Sequence, residues 1–205
     1  MSKVGNTISV VDDDEGFCAA ITWLLQLNGY STSIHNSASS FMEHLPIQDS
    51  CALLDLQLGS ANGIDLIKRA RSSGYYAPII IVSAFGTIPT AMRAGHNGAF
   101  EFLEKPVANE ILLSSVHRAC EAHQVHRQRL GEAVHIVERF RDLTEREREV
   151  FWLLSDGYTT KAIAERLNIS ARTAEVHRSR VLEKFHTNRL ADIIRASRTI
   201  GSLRS

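Results

Sequence analysis

The sequence lacks the cysteine pattern of a stapled fold. Its three cysteines, Cys18, Cys51 and Cys120, are odd in number and far apart, and each lies in an apolar stretch. Reduced core thiols are therefore expected, not disulfides or metal ligands. No basic, apolar leader opens the chain, and no run approaches the ~18 apolar residues of a membrane span. A cytoplasmic protein with no membrane partner is the expectation. Net charge is also absent, since 23 Lys and Arg balance 23 Asp and Glu over 205 residues. The balance conceals an asymmetry: residues 1–125 carry 7 basic against 12 acidic side chains, and residues 126–205 carry 16 against 11. The length allows two modest cores, an acidic one suited to hold a cation and a basic one suited to meet a polyanion.

Four apolar runs in the first half each end in polar residues. Ile8-Ser9-Val10-Val11 leads into Asp12-Asp13, Cys51-Ala52-Leu53-Leu54 into Asp55, Ile79-Ile80-Ile81-Val82 into Ser83, and Phe100-Glu101-Phe102-Leu103-Glu104 into Lys105. Runs of this length between helix-patterned segments predict strands of a parallel sheet buried on both faces. Ligands of such sheets sit beyond the carboxyl ends of the strands, so these end residues should converge. Taken singly, an Asp run is a solvated turn and a strand-end Ser a cap; their recurrence at four strand ends argues for a site. Asp12 and Asp13 then suit Mg²⁺ (or Mn²⁺) as hard oxygen donors. Asp55 suits a nucleophile that forms an aspartyl-phosphate, Ser83 a sensor of the phosphate, and Lys105 its counter-ion.

Val10-Val11-Asp12-Asp13-Asp14, Asp55 with Gly63 eight residues on, Ser83-Ala84 and Glu104-Lys105-Pro106 resemble a response-regulator receiver domain, here over residues 1–122. The resemblance implies a doubly wound (βα)₅ parallel-sheet fold of class α/β. It implies a metal held by Asp13, Asp55, the backbone carbonyl of Gln57 and, through water, Asp12, and a cis bond before Pro106. A haloacid-dehalogenase-like phosphohydrolase would need a second Asp two residues after the nucleophile, where this chain has Gln57. Two stretches depart from the family. Leu56-Gln57-Leu58-Gly59 stands where Met-Pro is usual and predicts a looser loop. Gly95 and Asn97 each weaken a helix by up to about 1 kcal/mol, so the helix before the fifth strand should fray or end early.

In the basic half, Thr144 and Glu147 have capping-box spacing ahead of Val150, Phe151, Leu153 and Leu154, and Gly157 ends that helix. A second helix is predicted over Thr160 to Leu167. Asn168 tolerates the left-handed region, Ile169 plugs the turn, and Ser170 caps a third helix. This is a helix-turn-helix. On the third helix Ala174, Val181 and Phe185 lie on one side, and Arg172, Val176, Ser179, Arg180 and Glu183 on the other. The outward side is the one a major groove would admit.

Leu143 to Val150, Lys161-Ala162-Ile163-Ala164 and Thr173-Ala174-Glu175-Val176-His177 are similar to the all-α, four-helix DNA-binding domain of LuxR/FixJ type, here residues 143–205. That resemblance implies a fourth helix over about Arg189 to Ser197. It also implies base contacts from Glu175, Val176 and Ser179, and contacts to the DNA backbone from Lys161, Thr173, His177, Arg180 and Lys184. Glu175 and Glu183 have a plainer reading as members of intrahelical ion pairs, favoured for Glu183. Residues 123–142 read as a helical linker. His123 and His126 there are spaced to share a face, as a metal pair or, the more common case, as solvated side chains, and Gly131 predicts a bend.

Together the resemblances imply a phosphorylation-controlled DNA-binding transcriptional regulator of a two-component system, with double-stranded DNA and a cognate sensor histidine kinase as partners. The phosphate would draw Ser83 inward, and Phe102 would turn into the vacated space. The altered surface of fourth helix, fifth strand and fifth helix would then form a homodimer. Phe102 reads equally as a core aromatic. The alternative function is a constitutive DNA-binding regulator whose receiver is a phosphorylation-independent dimerisation scaffold. In receivers the positions of Phe85, two residues beyond Ser83, and of neutral Gln57 flank the path of the water that hydrolyses the acyl phosphate, so the resemblance together with the apolar ring implies slow autodephosphorylation. Phe85→Ala should shorten the lifetime of the phosphoryl group, measured by loss of radiolabel; an unchanged lifetime rules out shielding by the ring.

Overall fold

The computed structural model describes residues 5–43, 45 and 49–202, which divide between residues 126 and 127 into two units. In the first unit, β1 (Thr7–Val11), β2 (Ser31–His35), β3 (Cys51–Leu54), β6 (Ile79–Ser83) and β7 (Glu101–Glu104) form one sheet in the order β2-β1-β3-β6-β7. All four pairings are parallel. The intervening helices are α1 (Glu15–Leu27), α2 (Ala38–Glu43), α3 (Gly63–Ser72) and α4 (Ile88–His96), and α5 (Asn109–Arg141) follows β7.

Alternation along each strand sorts the core into two layers. Ile8, Val10, Leu53, Ile80 and Val82 face Cys18, Ile21 and Leu25 of α1 and Leu112 and Val116 of α5. Val11, Leu54, Ile79 and Ile81 face Phe41 of α2, Ile64 and Ile67 of α3, and Ala94 of α4. Helices thus cover both faces, as a parallel sheet requires, and Cys18, Cys51 and Cys120 are free and buried.

α4 ends at His96 with Asn97 as its cap and Gly98 at a φ of 91°, the early stop its weak helix formers lead one to expect. The segment after Asp55, by contrast, is not loose. β4 (Gln57–Leu58) and β5 (Ala61–Asn62) pair as an antiparallel hairpin. Gly59 opens its turn at a φ of 58°, the pattern of a type II′ turn, where glycine supplies the conformation without strain.

The second unit contains α6 (Glu145–Ser155), α7 (Thr160–Leu167), α8 (Ala171–Lys184) and α9 (Leu190–Ser202). Its core includes Phe140, Val150, Phe151, Ile163, Ala174, Val181, Phe185, Ile193 and Ile200, with Phe151 stacked on Phe185 at 5.0 Å. Phe140 and the partly buried Ile136 belong to α5, so the segment expected to be a linker contributes side chains to this core. Gly131 is a helical residue with no break in α5 at that point; a single glycine costs about 1 kcal/mol, which its helix-forming neighbours can absorb. α9 runs beyond Ser197 to Ser202, because Ile193, Ala196 and Ile200 continue the apolar spacing. No helix among the described residues is long and apolar enough to cross a membrane.

The capping box forms as its spacing predicts: Glu147 N–H donates to Thr144 Oγ1 (3.3 Å), and Thr144 N–H donates to Glu147 Oε2 (2.9 Å). The buried Glu147 also accepts from Lys184 Nζ at 2.7 Å. Burial alone would raise its carboxyl pKa, but the bonds from Lys184 and Thr144 outweigh it and hold the group below its ordinary range. A depressed folded-state pKa adds stability above the ordinary value of 4.5, and that stability is lost as the pH falls through the folded value. Glu147→Gln should therefore cost this unit about 1–3 kcal/mol at pH 7, and the gap to wild type should narrow below pH 4.5 in thermal melts.

Candidate functional site

Four strands of the first unit, β1, β3, β6 and β7, bring the residue at or just past their ends to the same edge: Asp12, Asp55, Ser83 and Lys105. Asp12 N–H donates to the His35 carbonyl (3.1 Å) and Asp55 N–H to the Val11 carbonyl (2.9 Å), which carries the sheet pairing one step past the strands and fixes both backbones. Asp12, Asp13 and Asp55 each offer an oxygen within 4.8 Å of the others. Asp12 is buried, at 1 % exposure, whereas Asp13 is exposed. Asp12 Oδ2 accepts from Lys105 Nζ (2.7 Å) and Asp12 Oδ1 from Asp14 N–H (3.0 Å). Burial raises the Asp12 carboxyl pKa, and these two donors pull it back without cancelling the rise. Lys105 Nζ also stands 3.8 Å from Asp55 Oδ2.

The other two carboxylates are oriented by backbone donors. Leu56 N–H donates to Asp55 Oδ1 (2.7 Å), and Gly59 N–H, at the tip of the hairpin, donates to Asp13 Oδ2 (2.9 Å). Gly63 admits the close chain approach behind Asp55: a Cβ there would lie 2.5 Å from the Asp55 carbonyl oxygen, and Gly63 N–H donates to the Leu56 carbonyl (2.7 Å). Gln57 opens the hairpin opposite Asn62 with its side chain exposed. Hard oxygen donors at this separation fit a small divalent cation. His123 is buried and His126 exposed, so the plain reading of two solvated histidines holds for His126 alone.

Ser83 is buried at the end of β6, and Phe85 N–H donates to its Oγ across a long 3.4 Å. Phe102 is partly buried and packs with the α2–α3–α4 layer; a Cβ on Gly86 would come within 3.0 Å of its ring. Phe85 is 59 % exposed. Lys105 precedes a cis bond to Pro106. Sequence reasoning missed Phe17, whose ring lies 3.8 Å beneath Lys105 Nζ. It lies inside the apolar pattern of α1 and carries no polar atom to mark it.

The second unit presents a different surface. Asn168 takes the left-handed conformation (φ 51°, ψ 50°) between α7 and α8, and Thr173 N–H donates to Ser170 Oγ (3.0 Å) at the start of α8. Glu175, Val176, Ser179 and Arg180 are exposed on α8, as are Thr173 in its first turn and Lys161 on α7; His177 is partly buried. An apolar side chain 44 % exposed, as Val176 is, stands out on so polar a helix. Two details differ from expectation. Arg178 pairs with Glu175 (2.9 Å), whereas Glu183, the favoured candidate for an ion pair, makes none among the described residues. Order explains this: an acid preceding its base on a helix is the better arrangement, and Arg180 precedes Glu183. Lys184 donates within the unit to Glu147 and, at 2.8 Å, to the Asp142 carbonyl.

Comparison with known proteins identifies the family of each unit. Residues 8–117 match the family described as response regulator receiver domain, and residues 141–197 the family of bacterial regulatory proteins, luxR family. The transcriptional regulatory protein FixJ of Rhizobium meliloti is 30% identical over 190 residues, covering 92% of this chain and 93% of its own length. The response regulator protein TodT of Pseudomonas putida is 29% identical, covering 96% and 87%. The solved structure of response regulator StyR superposes with a TM-score of 0.82 at 30% identity, over 95% of this chain and 99% of that one. Full-length FixJ from B. japonicum gives 0.60 at 30%, over 97% and 98%. The chain belongs to the two-component response regulators, as a transcriptional regulator with a receiver domain followed by a LuxR-family DNA-binding domain.

Proposed function

We propose that this regulator accepts a phosphoryl group on Asp55 and that the modified receiver sets the DNA affinity of α8. The supporting observation is the convergence of Asp12, Asp13 and Asp55 with the Lys105 ammonium at one sheet edge. Asp55 Oδ1 is engaged by the Leu56 N–H, which leaves Oδ2 to attack phosphorus on a phosphohistidine of the sensor kinase. A P–O bond forms as the P–N bond breaks, and the imidazole departs with a proton. Asp13, Asp55, the Gln57 carbonyl and, through water, Asp12 would hold Mg²⁺ or Mn²⁺. When bound, the ion supplies charge neutralisation at the phosphoryl oxygens.

Ser83 then donates its hydroxyl to one phosphoryl oxygen, and Lys105 neutralises another. The 3.4 Å bond that Ser83 accepts is long, so little is lost when the hydroxyl turns. Its movement frees space for Phe102 and biases the surface of α4, β7 and α5. Exposed Ile88 and Met92 on α4 and Ile111 on α5 support that surface as the contact of a phosphorylated homodimer. On DNA, Glu175, Val176 and Ser179 meet base edges, while Lys161, Thr173, His177 and Arg180 meet phosphates. The receiver's own phosphoryl transfer and hydrolysis are the only catalysis in this scheme, which operates in the cytoplasm, where the kinase and the DNA both meet the chain.

Incubation with acetyl phosphate and Mg²⁺ should add one phosphoryl group to the wild type by intact mass. Asp55→Asn should add none, with its melting temperature retained. Undiminished incorporation in Asp55→Asn would move the acceptor elsewhere.

A further inference from the structure

The first turn of α1, beside the carboxylate site, holds one side chain that the chemistry above does not use. Lys105 Nζ lies 3.8 Å from the centroid of the Phe17 ring, on the face of the ring that attracts cations. The same ammonium is 2.7 Å from Asp12 Oδ2 and 3.8 Å from Asp55 Oδ2. Resting on the assignment of Asp55 as phosphoryl acceptor, we propose that Phe17 is a positioning residue, whose ring keeps the Lys105 ammonium aimed at Asp55 before the phosphoryl group arrives.

A lysine is a point charge on a flexible four-carbon stem, and a single partner does not fix it. Asp12 alone would leave the ammonium free to swing toward water or toward the exposed Asp13 while keeping one hydrogen bond. The ring closes that freedom, and the Lys105 side chain is only 19 % exposed. An aromatic face does this in a way that an acid cannot. A further carboxylate would neutralise the lysine and spend its charge, whereas the ring's quadrupole attracts the cation and leaves the full positive charge for the incoming phosphoryl oxygens.

The position of the ring is set by the acidic run itself. Asp14 caps α1 by accepting the N–H of Phe17 at 3.0 Å, so the backbone bearing the ring is tied to the residue next to Asp13. One loop thereby presents two candidate metal-binding carboxylates and, one helical turn on, the support for the counter-ion. Phe17 also packs partly against the α1–α5 layer. A purely structural role would be met by any apolar side chain of similar size, and this separates the two explanations by experiment.

The full-length protein would be titrated with beryllofluoride, a phosphoryl mimic, by calorimetry with Mg²⁺ saturating throughout. Phe17→Leu keeps an apolar group and removes the π face; it should weaken beryllofluoride binding about 3- to 30-fold, the span of a cation–π contact between exposed and desolvated settings. Phe17→Tyr should restore wild-type binding, and Mg²⁺ affinity should be the same in all three proteins. In a Lys105→Met background Phe17→Leu should have no further effect, because the contact through which it acts is gone. Should Phe17→Leu lose its melting transition, Phe17→Met provides the same comparison with a flexible apolar side chain. Equal binding by wild type and Phe17→Leu, or the same loss with Lys105 already removed, would overturn the positioning role. A wild type that binds no beryllofluoride would instead overturn the acceptor assignment beneath it.

Discussion

A carboxylate as deeply withdrawn from water as that of Asp12 must be met by charge and by hydrogen-bond donors, and the receiver is arranged to meet it. Lys105 reaches it at 2.7 Å and the Asp14 N–H at 3.0 Å. β1 and β7, which carry the two partners, do not pair; β3 and β6 lie between them. The ion pair therefore exists only if all the intervening strands end at one level, so the register of the whole sheet bears on a single contact. The same register brings Asp55 and Ser83 to that edge. Removing one partner of such a buried pair typically costs about 3–5 kcal/mol, more than most point changes.

The site is a set of charges held in tension, neither neutral nor relaxed. Three carboxylates face one ammonium, and the Asp12 carboxyl pKa stays raised despite its partner. Such an arrangement favours the arrival of a cation. On the proposed role of Asp55, a phosphoryl group arriving there would redistribute Lys105 between Asp12 and the new oxygens. In the second unit the same kind of contact is structural: Lys184 and Glu147 tie the C-terminal end of α8 to the start of α6. Arg139 adds to this by donating to the carbonyl of Phe185 at 3.2 Å.

Features written into neighbouring residues were legible in the sequence. The four strand ends, the Thr144–Glu147 box, the left-handed Asn168 and the Ser170 cap all depend on local chemistry, and each lies where its spacing predicts. What could not be read depends on approach in space. Phe17 and Lys105, or Glu147 and Lys184, meet only after folding, and no periodicity announces such pairs. The hairpin after Asp55 was hidden because Gln57-Leu58 and Ala61-Asn62 are too short for strand patterning, and its Gly59 tip is held by Asp13 from another strand end. The role of the connecting segment was obscured by composition: its charge and histidine content suggest solvent, yet Ile136 and Phe140 enter the core of the second unit.

In the proposed mechanism, occupation of the Asp55 site controls the affinity of α8 for DNA. The most direct test measures operator-DNA affinity and solution mass of the full-length protein with and without Mg²⁺ and beryllofluoride. All conditions should share one ionic strength, because salt alone changes such affinities steeply. A gain in affinity together with a shift from monomer to dimer, seen only when both additions are present, is the predicted result. Equal DNA binding and equal mass in every condition would contradict the account and identify a constitutive DNA binder whose receiver is a scaffold.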